Sequence, residues 1–240
     1  MEFFQEKTLI ILHGWGSSKE KWEKVKEILE KKGVKVFVPD LPGFKEELEQ
    51  VWRLDDFVGW VENFIEKHRI SVFFLLGHSF GGRVAIKFAF KHPEKLKGLI
   101  LVSAAGLRPK SIWLSLIASI SSFFKIFSFL PGYETLRKIF YKFILRKTDY
   151  FKLKGKMKET FKEIIKEDLT PYLSQIKVPT LILWGEKDKI TPLRDGLLMK
   201  EKIENSELKI LPKVGHAPYL EIPERLSADI FNFLVQQNGS

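Results

Sequence analysis

Phe73-Phe74-Leu75-Leu76-Gly77-His78-Ser79-Phe80-Gly81-Gly82-Arg83-Val84-Ala85 is the stretch that decides the fold. An uninterrupted apolar, β-favouring run enters a turn of small residues, and a helix-forming sequence leaves it. Ser79 has a glycine two residues before it and another two after. The G-x-S-x-G pattern in that setting predicts a strand–turn–helix corner holding a serine in a strained backbone conformation. A side chain at either glycine would collide with the neighbouring strand or helix. The corner also sets Ser79 at a helix N-terminus, where unpaired N–H groups stabilise negative charge.

Outward from this corner, short apolar runs alternate with helical periodicity. Leu9-Ile10-Ile11-Leu12 has the pattern of a strand buried on both faces and ends in His13-Gly14-Trp15-Gly16. Ser17 or Ser18 is placed to cap a helix carrying Trp22, Val25, Ile28 and Leu29 at helical spacing, which Gly33 stops. Val34-Lys35-Val36-Phe37-Val38 is a second strand, and Phe57, Val61, Phe64 and Ile65 mark a second helix. After the corner, strands follow at Leu99-Ile100-Leu101-Val102, at 178–184 and at 208–211, with helices starting near Pro192 and Pro223. Strands alternating with helices at short intervals predict an α/β fold, a mostly parallel sheet flanked by helices.

Residues 107–172 break the alternation: their pattern is helical throughout. The expected organisation is a core of residues 1–106 and 173–240 with a helical cap, or lid, of 107–172. Ligand sites in open parallel sheets lie beyond the carboxyl ends of the strands, so an insertion there roofs the site.

With 240 residues and 45% apolar content, the chain is long enough to bury a full core. It has no cysteine, which excludes disulfides, thiolate metal sites and a cysteine nucleophile. No apolar signal segment opens the sequence and no uncharged stretch reaches the length of a membrane span, so a cytoplasmic protein without a transmembrane segment is expected. The formal charge is +10, and residues 107–168 carry 14 Lys and Arg against 6 Asp and Glu, a net of +8. That concentration, set against no nucleic-acid-binding pattern, makes nucleic acid an unexpected partner. The basic cap reads either as a solvated, lysine-rich helix surface or as a face that attracts an acidic carrier protein or an anionic lipid surface, an attraction that salt would weaken.

A serine hydroxyl is a poor nucleophile at neutral pH and needs a base, itself oriented by an acid. Of five histidines, His216 in Gly215-His216-Ala217-Pro218 lies just after the last strand and is the expected base. His78 adjoins Ser79 but points apart from it, His13 braces the first glycine turn, and His68 and His92 lie at helix ends. For the acid, Leu181-Ile182-Leu183-Trp184 leads to Asp188 in Gly185-Glu186-Lys187-Asp188-Lys189-Ile190-Thr191-Pro192, with Glu186 as its rival. The chain order Ser79, Asp188, His216 is the order of this architecture.

Together, His13-Gly14-Trp15-Gly16 and the stretches 77–82, 185–192 and 215–224 resemble the α/β-hydrolase superfamily along essentially the whole chain. The likeness is to its small branch with a helical cap after the sixth conventional strand. That branch includes carboxylesterases, carbon–carbon bond hydrolases of aromatic ring cleavage, haloperoxidase-like esterases and the pimeloyl-carrier methyl esterase of biotin synthesis. The resemblance implies a triad of Ser79, Asp188 and His216 and an oxyanion hole of the Trp15 and Phe80 backbone N–H groups. Their side chains, with Phe123, Phe124 and Phe127 of the cap, are expected to line a pocket for apolar acyl groups of short to medium length. No cofactor or metal is implied. The expected activity is hydrolysis of small-molecule carboxylic esters through an acyl-enzyme. A dedicated acyl-carrier methyl esterase or carbon–carbon hydrolase is the alternative, and a non-catalytic ligand receptor the third. Two departures stand out: Lys45 replaces the second glycine of the turn after Asp40, and the short N-terminus leaves the first antiparallel strands reduced or missing.

Overall fold

The computed structural model describes residues 7–107 and 155–237. Six strands form one sheet: β1 (Lys7–Leu12), β2 (Val34–Phe37), β3 (Phe73–His78), β4 (Leu96–Val102), β5 (Thr180–Gly185) and β6 (Ser206–Leu211). Their spatial order is β2-β1-β3-β4-β5-β6, and every described pairing is parallel. The six runs anticipated from sequence are these six strands, with β4 starting three residues earlier and β6 two residues earlier than their apolar cores suggest. Residues 1–6, where an antiparallel strand would have to lie, are outside the described part.

Parallel strands buried on both faces need two apolar layers, and alternation along each strand supplies them. Ile10, Leu12, Leu75, Leu99, Leu101 and Ile182 point to one side, against α2 (Leu54–Lys67), α3 (Phe80–Lys91) and Met199 of α6 (Leu193–Lys202). Leu9, Ile11, Phe74, Leu76, Ile100 and Leu183 point to the other, against α1 (Glu23–Glu30) and α8 (Pro223–Gln236). Gly33, at φ 79°, ends α1 in the left-handed conformation that suits glycine. Pro192 stands at the N-cap of α6 and Pro223 inside the first turn of α8, as read from sequence. The serine cap is a correction: Ser18 precedes a 3-10 turn (Lys19–Trp22) and makes no side-chain capping bond. Lys45, in the expected second-glycine position, bridges Asp40 at 2.8 Å and Glu20 at 3.1 Å.

Between β4 and β5 the described residues form α4 (Gly155–Lys166) and α5 (Thr170–Leu173), consistent with the helical pattern there. Two buried cations of α3 tie this segment down. Arg83 Nη2 donates to the carbonyls of Ile164, at 2.7 Å, and Glu167 at the C-terminal end of α4, where a cation also complements the helix dipole. Lys87, 5% exposed, bridges Asp55 of α2 at 2.8 Å and Glu167 at 2.7 Å. The Trp52 N–H donates to Thr160 Oγ at 2.9 Å, and the Leu169 N–H to the Gly106 carbonyl at 3.0 Å. Among the described residues, no helix is long and apolar enough to cross a membrane.

Candidate active site

The corner after β3 has the geometry its sequence demands. Ser79 sits at φ 51° and ψ −113°, a conformation costing a non-glycine residue about 1–3 kcal/mol. A Cβ at Gly77 would lie 2.4 Å from the Gly81 carbonyl oxygen, and one at Gly81 would lie 2.1 Å from that of Leu12. Backbone contacts this short leave room only for glycine. The strain is held by surrounding hydrogen bonds: the Ser79 N–H donates to Val102 O at 3.2 Å, and its carbonyl accepts from Gly82 and Ala105.

Phe80 opens α3, so its N–H has no carbonyl one turn earlier in the helix. The Trp15 N–H lies in the loop after β1, across from Ser79; a Cβ on Gly14 would come within 3.2 Å of Ser79 Cβ. Among the described residues neither amide donates a hydrogen bond. The loop carrying Trp15 is fixed by His13, which is fully buried. His13 Nδ1 meets Gly14 O at 2.9 Å, while its Nε2 accepts the Leu41 N–H at 3.0 Å. One nitrogen donates and the other accepts, so the ring is neutral, and burial lowers its pKa in the same sense. The brace expected of His13 is therefore present.

Asp188 and His216 meet beyond the ends of β5 and β6. His216 Nδ1 lies 2.8 Å from Asp188 Oδ2. The aspartate side chain is fully shielded from solvent, and that of the histidine is 18% exposed. Asp188 Oδ1 accepts the N–H groups of Ile190 at 2.8 Å and Thr191 at 3.0 Å. The Thr191 hydroxyl stands 2.8 Å from Oδ2 and 3.1 Å from the Ser103 carbonyl, so its single hydrogen serves one of them at a time. Burial alone would raise the carboxyl pKa. The His216 contact and these donors overcome that, holding it at about 2, so Asp188 is ionised at neutral pH. A carboxylate at Nδ1 requires the proton there and leaves the Nε2 lone pair free. Glu186, the rival acid, is exposed and accepts the Lys213 N–H at 2.8 Å, away from the imidazole.

Among the described residues, no hydrogen bond links Ser79 Oγ to His216. The two loops meet one residue earlier: His78 Nε2 is 2.8 Å from the His216 carbonyl, and the two rings are 4.9 Å apart. Catalytic hydrogen bonds are commonly long without substrate and tighten when it binds.

Around Trp15 and Phe80 the aromatic side chains cluster edge to face. The Trp15 ring lies 5.0 Å from Phe80, 5.1 Å from Phe44 and 5.0 Å from Phe161 of α4. Trp15 and Phe80 are thus neighbours, as anticipated, whereas Phe123, Phe124 and Phe127 lie outside the described residues. Sequence reasoning missed Phe44 and Thr191, and it held Phe161 only as one of eight phenylalanines of the cap. Of these only Thr191, three residues beyond Asp188 and so in reach of its carboxylate, left a signal in the spacing.

The sequence profile of the α/β-hydrolase fold matches residues 7–124 and 145–223. The chain belongs to the α/β-hydrolase family. Among curated relatives, the pimeloyl-[acyl-carrier protein] methyl ester esterase of Wigglesworthia glossinidia brevipalpis is 30% identical, over 90% of this chain and 88% of its own. Lipase 1 of Psychrobacter immobilis is 28% identical over 89% of this chain and 72% of its own. The crystal structure of MGS-MChE2, an α/β-hydrolase enzyme from the metagenome of sediments of the Mar Chica lagoon, Morocco, superposes with a TM-score of 0.72. It has 22% identity and covers 98% of this chain and 93% of that one. Within this α/β-hydrolase the strained serine, the aspartate–histidine pair and the Trp15 and Phe80 amides all cluster at the carboxyl ends of the strands, where open sheets of this type bind ligands.

Proposed function

We propose that this α/β-hydrolase is a carboxylic ester hydrolase that works through an acyl-enzyme on Ser79. His216 Nε2 takes the hydroxyl proton as Ser79 Oγ attacks the ester carbonyl. The carbonyl oxygen, now negative, accepts from the Trp15 and Phe80 N–H groups, and loss of one such donor typically costs about 100–1,000-fold in rate. His216 then returns the proton to the leaving alcohol, and water releases the acid by the same steps reversed. Asp188 stays ionised throughout, fixing the tautomer and stabilising the imidazolium. The observation that carries this reading is the buried Asp188–His216 pair at 2.8 Å beside a serine held at φ 51°.

In the same reading, residues 107–172 form a cap over the site, and the aromatic surface of Trp15, Phe44, Phe80 and Phe161 bounds an apolar acyl site for short to medium chains. Nitrophenyl esters of two to ten carbons test it. Wild-type turnover with a short-to-medium optimum, and loss of at least about a thousandfold in Ser79→Ala, is the expected result. Turnover that survives in Ser79→Ala would refute it, and binding without turnover would favour a receptor.

A second reading, a carrier-linked methyl esterase, is favoured by the 30% identity to an enzyme named for that substrate and by the net +8 of residues 107–168. It requires that an acyl-carrier methyl ester outcompete the free ester at low salt and lose that advantage at about 0.5 M salt, where screening falls to a few ångströms.

A further inference from the structure

His78 is a polar ring in an apolar setting. It ends β3, is 3% exposed, and lies between Trp22, at 5.9 Å edge to face, and Tyr219, at 4.9 Å. Gly14 closes the remaining side: a Cβ there would stand 2.8 Å from His78 Nδ1. A hydrophobic side chain of similar volume would be cheaper to bury, so the imidazole needs a reason. Its hydrogen bond to His216 supplies it. Nε2 is 2.8 Å from the main-chain oxygen of His216, and a carbonyl only accepts, so Nε2 carries the proton. Nδ1 is buried, has no hydrogen-bond partner among the described residues, and stays unprotonated.

We propose that His78 is a positioning residue: its Nε2–H pins the backbone of His216 to the last residue of the elbow strand, so that the loop bearing the base is registered against the residue adjoining the one that bears the hydroxyl. This rests on the roles of Ser79 and His216 given above and extends them. Another described link from Ser79 to the imidazole runs through several bonds, by way of Val102, Ser103, Thr191 and Asp188, whereas the His78 bond joins the two loops in one step. Tyr219 stacks on Trp22 at 4.4 Å and packs on the His78 ring, so the short helix α7 (Pro218–Glu221) that follows the loop is held by the same side chain. Neutrality belongs to the role. When His216 becomes an imidazolium, a charged ring 4.9 Å away would oppose it, and the enclosed Nδ1 denies His78 that second proton.

The test compares His78→Gln, whose amide nitrogen replaces Nε2, with His78→Leu, which keeps bulk and removes the donor. Turnover and KM on a nitrophenyl ester are measured, together with thermal unfolding and the low-field proton resonance of the His216–Asp188 bond. An ångström of misplacement costs about 100-fold, so His78→Leu is expected to lose about 10- to 100-fold in kcat with KM little changed. Its low-field resonance should broaden or shift, while His78→Gln keeps both rate and resonance near wild type. Wild-type turnover in His78→Leu, or equal loss in both variants, overturns the proposal. If His78→Leu fails to fold, His78→Asn takes its place, its shorter amide falling short of the carbonyl, and the same two outcomes decide. Ser79→Ala separates the two claims: activity there sinks the hydrolytic reading itself, while a dead Ser79→Ala beside a fully active His78→Leu sinks only the role of His78.

Discussion

Replacing Asp188 by Asn changes one atom and sets two magnitudes apart. An asparagine can still turn its carbonyl oxygen to the Ile190 and Thr191 N–H groups, which hold Oδ1 at 2.8 and 3.0 Å. Its amide nitrogen must then face His216 Nδ1. Two donors cannot share that contact, so Nδ1 gives up its proton and Nε2 acquires it, leaving no lone pair to receive the Ser79 hydrogen. The expected loss in kcat is about 10³- to 10⁴-fold, or about 4–5.5 kcal/mol of transition-state stabilisation. The effect on stability is smaller. A carboxyl held at about 2 against an ordinary 3.8 contributes about 2 kcal/mol at neutral pH, which the neutral amide forfeits. Ester turnover and urea unfolding of the same preparation read both. A variant within about tenfold of wild type in kcat, yet destabilised as predicted, would mean that Asp188 is a structural turn residue and that the tautomer argument is wrong.

Thr191→Val removes the hydroxyl between Asp188 and the Ser103 carbonyl while keeping shape; a loss of about 1 kcal/mol in stability and a several-fold fall in kcat is expected from denaturation and kinetics. Gly77→Ala drives a methyl against the Gly81 carbonyl at 2.4 Å, and thermal unfolding should show the destabilisation of several kcal/mol typical of an overpacked core with a strained backbone. Acid should weaken the fold, and two groups at the candidate site illustrate how. His78, held at about 3 by burial and by repulsion from His216, stays neutral while the unfolded chain binds its proton below about 6.5, so stability declines from there towards pH 3 by up to about 1.4 kcal/mol per unit. The Asp188 contribution is full above 3.8 and is lost as pH falls towards 2, in the same direction. Urea unfolding from pH 7 to 4 should therefore slope downward in wild type and less so in His78→Gln.

The sheet and the candidate triad were legible because local rules and tertiary need agree there. Each buried parallel strand requires a continuous apolar run, and the corner at Ser79 requires Gly77 against its own Gly81 carbonyl and Gly81 against the neighbouring strand β1. Asp188 and His216 could be chosen because both directly follow such runs. The role of His78 could not, since adjacency to Ser79 suggested only that its side chain points elsewhere; that it reaches a carbonyl 138 residues onward depends on how β3 and the loop after β6 pack. Phe161 was likewise one of eight similar phenylalanines in residues 107–172, and its packing on Trp15 is visible only in the structure. Ser18 misled because a cap-compatible residue precedes the turn while the backbone starts with a 3-10 segment that its hydroxyl does not cap. Arg83 and Lys87 carry no signal in the sequence for their buried roles, because their partners on and beside α4 and on α2 lie far away along the chain.

The central claim, that Ser79 is an activated nucleophile, is tested most directly by intact mass after exposure to a fluorophosphonate. One adduct per chain, mapped to the peptide containing Ser79, absent in Ser79→Ala and slowed at least about a hundredfold in His216→Ala, is the predicted result. An unlabelled wild-type chain that nonetheless turns over esters, or an adduct that persists in Ser79→Ala, would contradict it.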